Sequence, residues 1–275
     1  PVKAQFIREA HEHAVDYLSD CQAHLQSVNS VSELSAPTQA FLQQFFSVER
    51  IGSVLLEKLK KVSERVLSLM QHPKYSPVDS NRYAICELPD TDTLAIAGIY
   101  DVQRPIYLNS SFFEHRHTHL APIIRTEEGR AFDTDKHRCA AALIHEFTHL
   151  ALDTFDINYV GSTFPFPEVL VEDNGVITEL KSALRTYRDQ QLSLSIGQQA
   201  LFKPLDARTS TLGDMLPFAQ SELLKRTGTK TLGEAQALFV NDPNARADII
   251  LMNADSVTVL LTWLGYFKPR ETWVV

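Results

Sequence analysis

Apolar residues recur at steps of three and four from the start of the chain. Ile7, Ala10, Ala14, Leu18, Cys21 and Leu25 share one helical face, which predicts an amphipathic helix over 4–27. Phe41, Phe45, Phe46, Ile51, Val54, Leu55, Leu59, Val62, Val66 and Leu69 form a broad apolar face, which predicts that helix continues over 37–70. Pro73 and Pro77 break the pattern, so 71–81 reads as loop. The period then changes. Residues 83–88, 94–100 and 105–108 are short runs rich in β-formers, separated by Pro, Asp and Gly, and they predict a small sheet. Helical spacing returns over 135–152, with Asp133 or Thr134 as its cap. A polar and aromatic loop follows from Asp153 to about Pro167. Helical patterns then cover 175–188, 189–202, 214–226 and 231–240. The last pattern, 242–265, is strongly apolar and has Pro243 near its start.

Helices, then a small sheet, then helices give an α+β class rather than alternating β/α units. No repeat and no linker-like stretch divides the chain, so one domain is expected. Its parts are N-terminal helices over 1–75, a sheet and long helix over 80–161, a helical insertion over 162–240 and a C-terminal helix over 242–275. The 275 residues are 44% hydrophobic and 22% charged, which is globular composition and argues against disorder. The net charge is −8 with no Lys/Arg-rich run, which argues against nucleic acid as a partner. Asn253 and Asp255 interrupt the apolar stretch 249–267, so no membrane span is expected. The three cysteines, Cys21, Cys86 and Cys139, lack CxxC spacing, which excludes a Cys-rich zinc site but leaves open one bridged pair. Cys139 reads as a buried packing residue. The chain begins PVKAQF, without Met or an apolar leader, which is expected of a processed form or part of a longer polypeptide.

The helix at 135–152 carries His145-Glu146-Phe147-Thr148-His149, an HExxH sequence. Positions i and i+4 lie one turn apart on one helix face, so both imidazoles can grip one Zn²⁺. The carboxylate at i+1 is offset around the helix and reaches a metal-bound water instead. The His and Glu content of this chain gives about 0.02 such matches by chance. The flanks Ala140–Ile144 and Leu150–Leu152 are apolar, which suits a buried helix that holds ligands rigidly.

Catalytic zinc takes three protein ligands and leaves one position open. The metzincin pattern fails, because Leu152 and Phe155 stand where it needs Gly and His or Asp. The loop Asp153–Gly161 supplies T-x-D-x-x-Y instead, as Thr154, Asp156 and Tyr159. On these residues the chain resembles the aspzincins, the deuterolysin-like metallopeptidases, which pair HExxH with a following GTxDxxYG. Asp153 replaces that family's first Gly, and its last Gly falls one residue late, at Gly161. Ile106–Phe113 is similar to the family's strand-then-FF segment. Asn253-Ala254-Asp255-Ser256 is similar to its NADSY-type segment, with Val257 in place of the aromatic. The resemblance spans roughly 80–265, with long unmatched pieces.

The resemblance implies a mostly helical zincin-like domain with a small sheet beside the HExxH helix. It implies one catalytic Zn²⁺ held by His145, His149 and Asp156, with Glu146 as general base and Tyr159 stabilising the transition state. A protein or peptide would be the substrate, and a secreted or delivered effector is favoured over a cytoplasmic enzyme. Lysine-specific members place a Glu where this chain has Thr258, so lysine specificity is not implied, although Asp255 is a candidate substrate-binding residue.

Other readings stay open at this point. Glu168, Glu172 or Glu179 would be the third ligand in a gluzincin-type arrangement. Asp153 could turn towards the metal or orient a histidine. Asp156 could be a turn residue, and Asn253 and Asp255 could bridge the last helix to the loop. His115, His117 and His119 alternate as strand neighbours would, and read as a polar loop or rim more readily than a metal site. His11-Glu12-His13 diverges around its helix and is expected at the surface. The alternative function is a toxin, effector or partner-binding module with a structural or degenerate zinc site, or a zinc hydrolase acting on something other than protein.

Overall fold

A computed structural model of the chain describes residues 2–78, 81–90, 92–114, 132–170, 175–189, 192–206 and 211–267. The molecule is mostly helical with a small sheet, an α+β arrangement. Helix α1 (Val2–Gln26) buries Ile7, Ala10, Ala14, Leu18, Cys21 and Leu25, the face its spacing predicts. His11 is buried on that face as well, against the surface expectation. Its Nδ1 lies 2.6 Å from the Tyr83 hydroxyl.

The pattern over 37–70 forms two helices, α2 (Ala36–Phe46) and α3 (Ser53–Met70), rather than one. Ser47 takes a left-handed conformation, φ 51°, and closes α2. The turn is held by Arg246, whose buried guanidinium donates to Phe46 O at 3.0 Å and Ser47 O at 2.8 Å. Both helices face the same core, so the apolar period runs through the break without registering it.

Strands β1 (Tyr83–Cys86), β2 (Ala95–Ala97) and β3 (Ile106–Asn109) form a sheet of order β1–β3–β2. β3 pairs parallel with β1 and antiparallel with β2, with Ile96 opposite Tyr107. β2 is therefore an edge. Asn109 fastens the approach to it, donating from Nδ2 to Asp90 O and Thr93 O at 3.0 and 2.9 Å. A 3-10 turn, Ser110–Phe113, carries the two phenylalanines.

Helix α4 (Thr134–Leu152) lies at the centre, capped by Asp133, whose carboxylate accepts from Lys136 N at 3.0 Å. α1, α3, the C-terminal helix and β2 all pack on it, which explains why nearly its whole circumference is buried. Cys139 is buried here, as its apolar setting predicts, and all three cysteines are free thiols.

Beyond α4, helix α5 (Gly175–Asp189) matches its pattern. The helix expected over 189–202 is absent from its described part, which holds bends and a 3-10 turn at Gln198–Ala200. Ser193 accepts from Ser195 N at 3.1 Å, a local bond that competes with helix. The two-stranded hairpin of β4 (Leu205–Asp206) and β5 (Thr211–Leu212) had no sequence signal long enough to read. α6 (Pro217–Thr227) starts at its proline, and α7 (Leu232–Asn241) is capped by Thr231.

The final apolar pattern is also two helices, α8 (Pro243–Met252) and α9 (Ala254–Tyr266). Asn253 separates them in extended conformation and bridges to Phe155. α9 crosses α1 closely at Gly265, where a Cβ would lie 2.2 Å from Tyr17 O. Among the described residues no helix is long and apolar enough to cross a membrane.

Candidate metal centre

α4 delivers His145, Glu146 and His149, and the next ten residues deliver the rest. The helix ends at Asp153 in left-handed conformation, φ 59°, where glycine is the easy residue. Arg226 from α6 holds that turn, with Nη1 donating to Asp153 O at 2.6 Å and Nη2 to its carboxylate at 3.1 Å. The chain then runs back along the helix junction α8–α9. Phe155 N donates to Met252 O at 3.0 Å, and Ala254 N to Phe155 O at 3.2 Å. The Asn253 amide completes the attachment. Its Oδ1 accepts from Ile157 N and Asn158 N at 3.0 and 3.1 Å, and its Nδ2 donates to Asn158 O at 2.8 Å.

This track lays Asp156 across the histidine face. Its Oδ1 is 3.0 Å from His145 Nε2 and 3.6 Å from His149 Nε2. One ligand atom from each of the three residues lies within 4.8 Å of the others, so the group can hold a metal ion. The donors fit one chemically. His149 Nδ1 is 2.8 Å from Thr154 O, and a carbonyl only accepts, so Nδ1 carries the proton and Nε2 keeps its lone pair. Asp156 Oδ1 is buried with the Nε2 atoms of both histidines around it, three donor atoms that one cation can share. Two imidazoles and one carboxylate suit a first-row transition ion or zinc better than Ca²⁺ or Mg²⁺.

The electrostatics follow from burial and crowding. Burial lowers the His145 pKa, but the hydrogen bonds of Asp156 and Asp255 and the charges of Asp156 and Glu146 carry it well above its ordinary value. Burial raises Asp156, yet the hydrogen bond and charge of His145, with His149 and the Tyr159 hydroxyl, bring it down to about 2. Burial pushes the Glu146 carboxyl above the ordinary carboxylate value. Glu146 is 7% exposed, and its Oε2 accepts from Ala97 N at 2.6 Å, so the edge strand β2 fixes its direction.

Tyr159 stands 57% exposed, with its ring nearly parallel to that of His145 at 5.9 Å. Its hydroxyl donates to Asp156 Oδ2 at 3.4 Å. Asp255 lies elsewhere than a substrate contact would. It is 3% exposed, and its oxygens accept from Val160 N at 2.6 Å, Ser162 N at 3.2 Å and the Ser162 hydroxyl. The bridging reading of Asn253 and Asp255 is the one the geometry bears out. Thr258 is buried and bonds back to Ala254 O at 2.9 Å.

Among the described residues the rival ligands are not brought here. Glu168 is paired with Arg188 at 2.9 Å, and Glu179 is exposed on α5. Asp153 is turned to Arg226. Glu172, His115, His117 and His119 lie outside the described residues. Ala97, Thr154 and Ser162 act through backbone or a small hydroxyl, which no sequence pattern marks, and nothing in the sequence ties Arg226 to a residue 73 positions away. Comparisons with protein-family models, curated proteins and solved structures find no match.

Proposed function

We propose that this chain is a zinc-dependent endopeptidase of the aspzincin type, a zincin-like domain that hydrolyses peptide bonds of protein substrates. One observation carries the reading: the buried Asp156 Oδ1, facing the Nε2 atoms of both HExxH histidines. Three ligands among the described residues leave a zinc ion one open position, which favours catalysis over a structural site.

His145, His149 and Asp156 would hold the ion. Bound zinc would supply Lewis acidity towards the scissile carbonyl and an acidified water. Glu146 takes the proton of the attacking water and returns it to the leaving amine. The Ala97 N–H holds Oε2, which turns Oε1 to that task. The raised pKa of Glu146 brings its proton affinity closer to what a base acting near neutral pH needs. Tyr159, exposed above His145, presents its hydroxyl beside Asp156, where it can donate to the oxyanion of the tetrahedral intermediate.

The test is zinc per chain by elemental analysis, for the wild type beside Asp156→Ala, with hydrolysis of a denatured protein substrate followed in parallel. About one zinc in the wild type, most of it lost in the variant, and hydrolysis by the loaded wild type are expected. A wild type that takes up no zinc when supplied with it overturns the reading. One zinc without hydrolysis favours a binding module instead.

A further inference from the structure

We propose that Asp255 is a positioning residue that fixes the tautomer of His145 and ties it to the seating of the loop 156–162. The proposal rests on His145, His149 and Asp156 forming a metal site.

Asp255 divides its two oxygens between two tasks. Oδ2 accepts the backbone N–H groups of Val160 and Ser162 at 2.6 and 3.2 Å. Oδ1 accepts the Ser162 hydroxyl and faces His145 Nδ1 at 3.4 Å. A carboxylate offers no proton, so with a metal at Nε2 it keeps the N–H of His145 on Nδ1. His149 gets the same tautomer from the Thr154 carbonyl. Each histidine is thus oriented by an acceptor, and both acceptors depend on the loop that brings Asp156. The contrast with Asn253 is instructive, since that amide touches the loop but neither histidine.

The chemistry of Asp255→Asn separates positioning from support. Val160 N and Ser162 N can only donate, so they hold the new amide by its oxygen. The loop bonds survive. The NH₂ group is then directed at His145 Nδ1, which must become the acceptor, and the proton moves to Nε2, where a metal would bind. A residue that merely braced the loop would tolerate this isosteric change.

The experiment measures cobalt(II) affinity by chelator competition in wild type, Asp255→Asn and Ser162→Ala, with the ¹⁵N NMR spectrum of the His145 side chain. Expected is a 10- to 100-fold loss of affinity in Asp255→Asn. Ser162→Ala, which leaves the carboxylate in place, is expected within about twofold of wild type. An Asp255→Asn protein that binds cobalt as the wild type does overturns the positioning role and leaves the metal site standing. A wild type that binds no cobalt overturns the site and the proposal together. If Asp255→Asn does not fold, the zinc-loaded wild type decides. A protonated Nδ1 on His145 in slow exchange with water supports the role, and rapid exchange there overturns it.

Discussion

Asn253→Ala tests the attachment of the metal loop. The Asn253 side chain is fully buried and makes bonds to Ile157 N, Asn158 N, Asn158 O and the Ser256 hydroxyl. Ile157 N keeps its second acceptor, Phe155 O at 3.2 Å, so truncation leaves one backbone N–H and one carbonyl, both of Asn158, without partners. Each buried orphan costs about 1–3 kcal/mol, so the two bound the loss between about 2 and 6 kcal/mol. The loop surfaces at Tyr159, and water entering from that side supplies part of what is lost. The low end, about 2 kcal/mol, is the expected cost. With a slope of about 2–3 kcal/mol/M, the urea midpoint of the metal-free protein falls by about 0.7–1 M. Equilibrium unfolding of wild type and variant reads this directly. A loss under about 1 kcal/mol at unchanged slope would refute the reasoning, because the loop would then not depend on the amide.

Glu146→Gln is expected to keep zinc and fold while hydrolysis drops by at least about a hundredfold; retained peptidase activity would remove Glu146 from the base role. Gly265→Ala places a methyl group against the Tyr17 backbone, which cannot swing aside as a side chain does, and should destabilise by about 2 kcal/mol or more in a thermal melt. Burial lowers the His11 pKa from 6.5 to about 4, the Met70 backbone bond only partly opposing it. The unfolded chain therefore takes up this proton first as pH falls, and stability drops between about pH 6.5 and 4, by about 3 kcal/mol in all. In urea titrations at stepped pH, His11→Gln should flatten that part of the profile, and an unchanged slope would assign the loss to other groups.

The helical spacing of α1 and α4 was legible because periodicity reports which face of a helix is buried. His145 and His149 were legible for the same reason: the turn of a helix alone sets i and i+4 side by side. The breaks at Ser47 and Asn253 were not. The flanking helices bury the same apolar stripe, so the pattern passes through, and what stops them is a guanidinium 199 positions from Ser47 and a bridge to Phe155. The loop residue Asp156 could be nominated from its motif, but its approach to the histidines depends on bonds between residues about 95 positions apart. Asp255 shows the limit most clearly. Its residue type suited a substrate cation as well as a buried acceptor, and only the packing of α9 behind the loop decided between them. Local sequence determines what a side chain can donate or accept, whereas the partner it meets is set by contacts that exist only once the chain has folded.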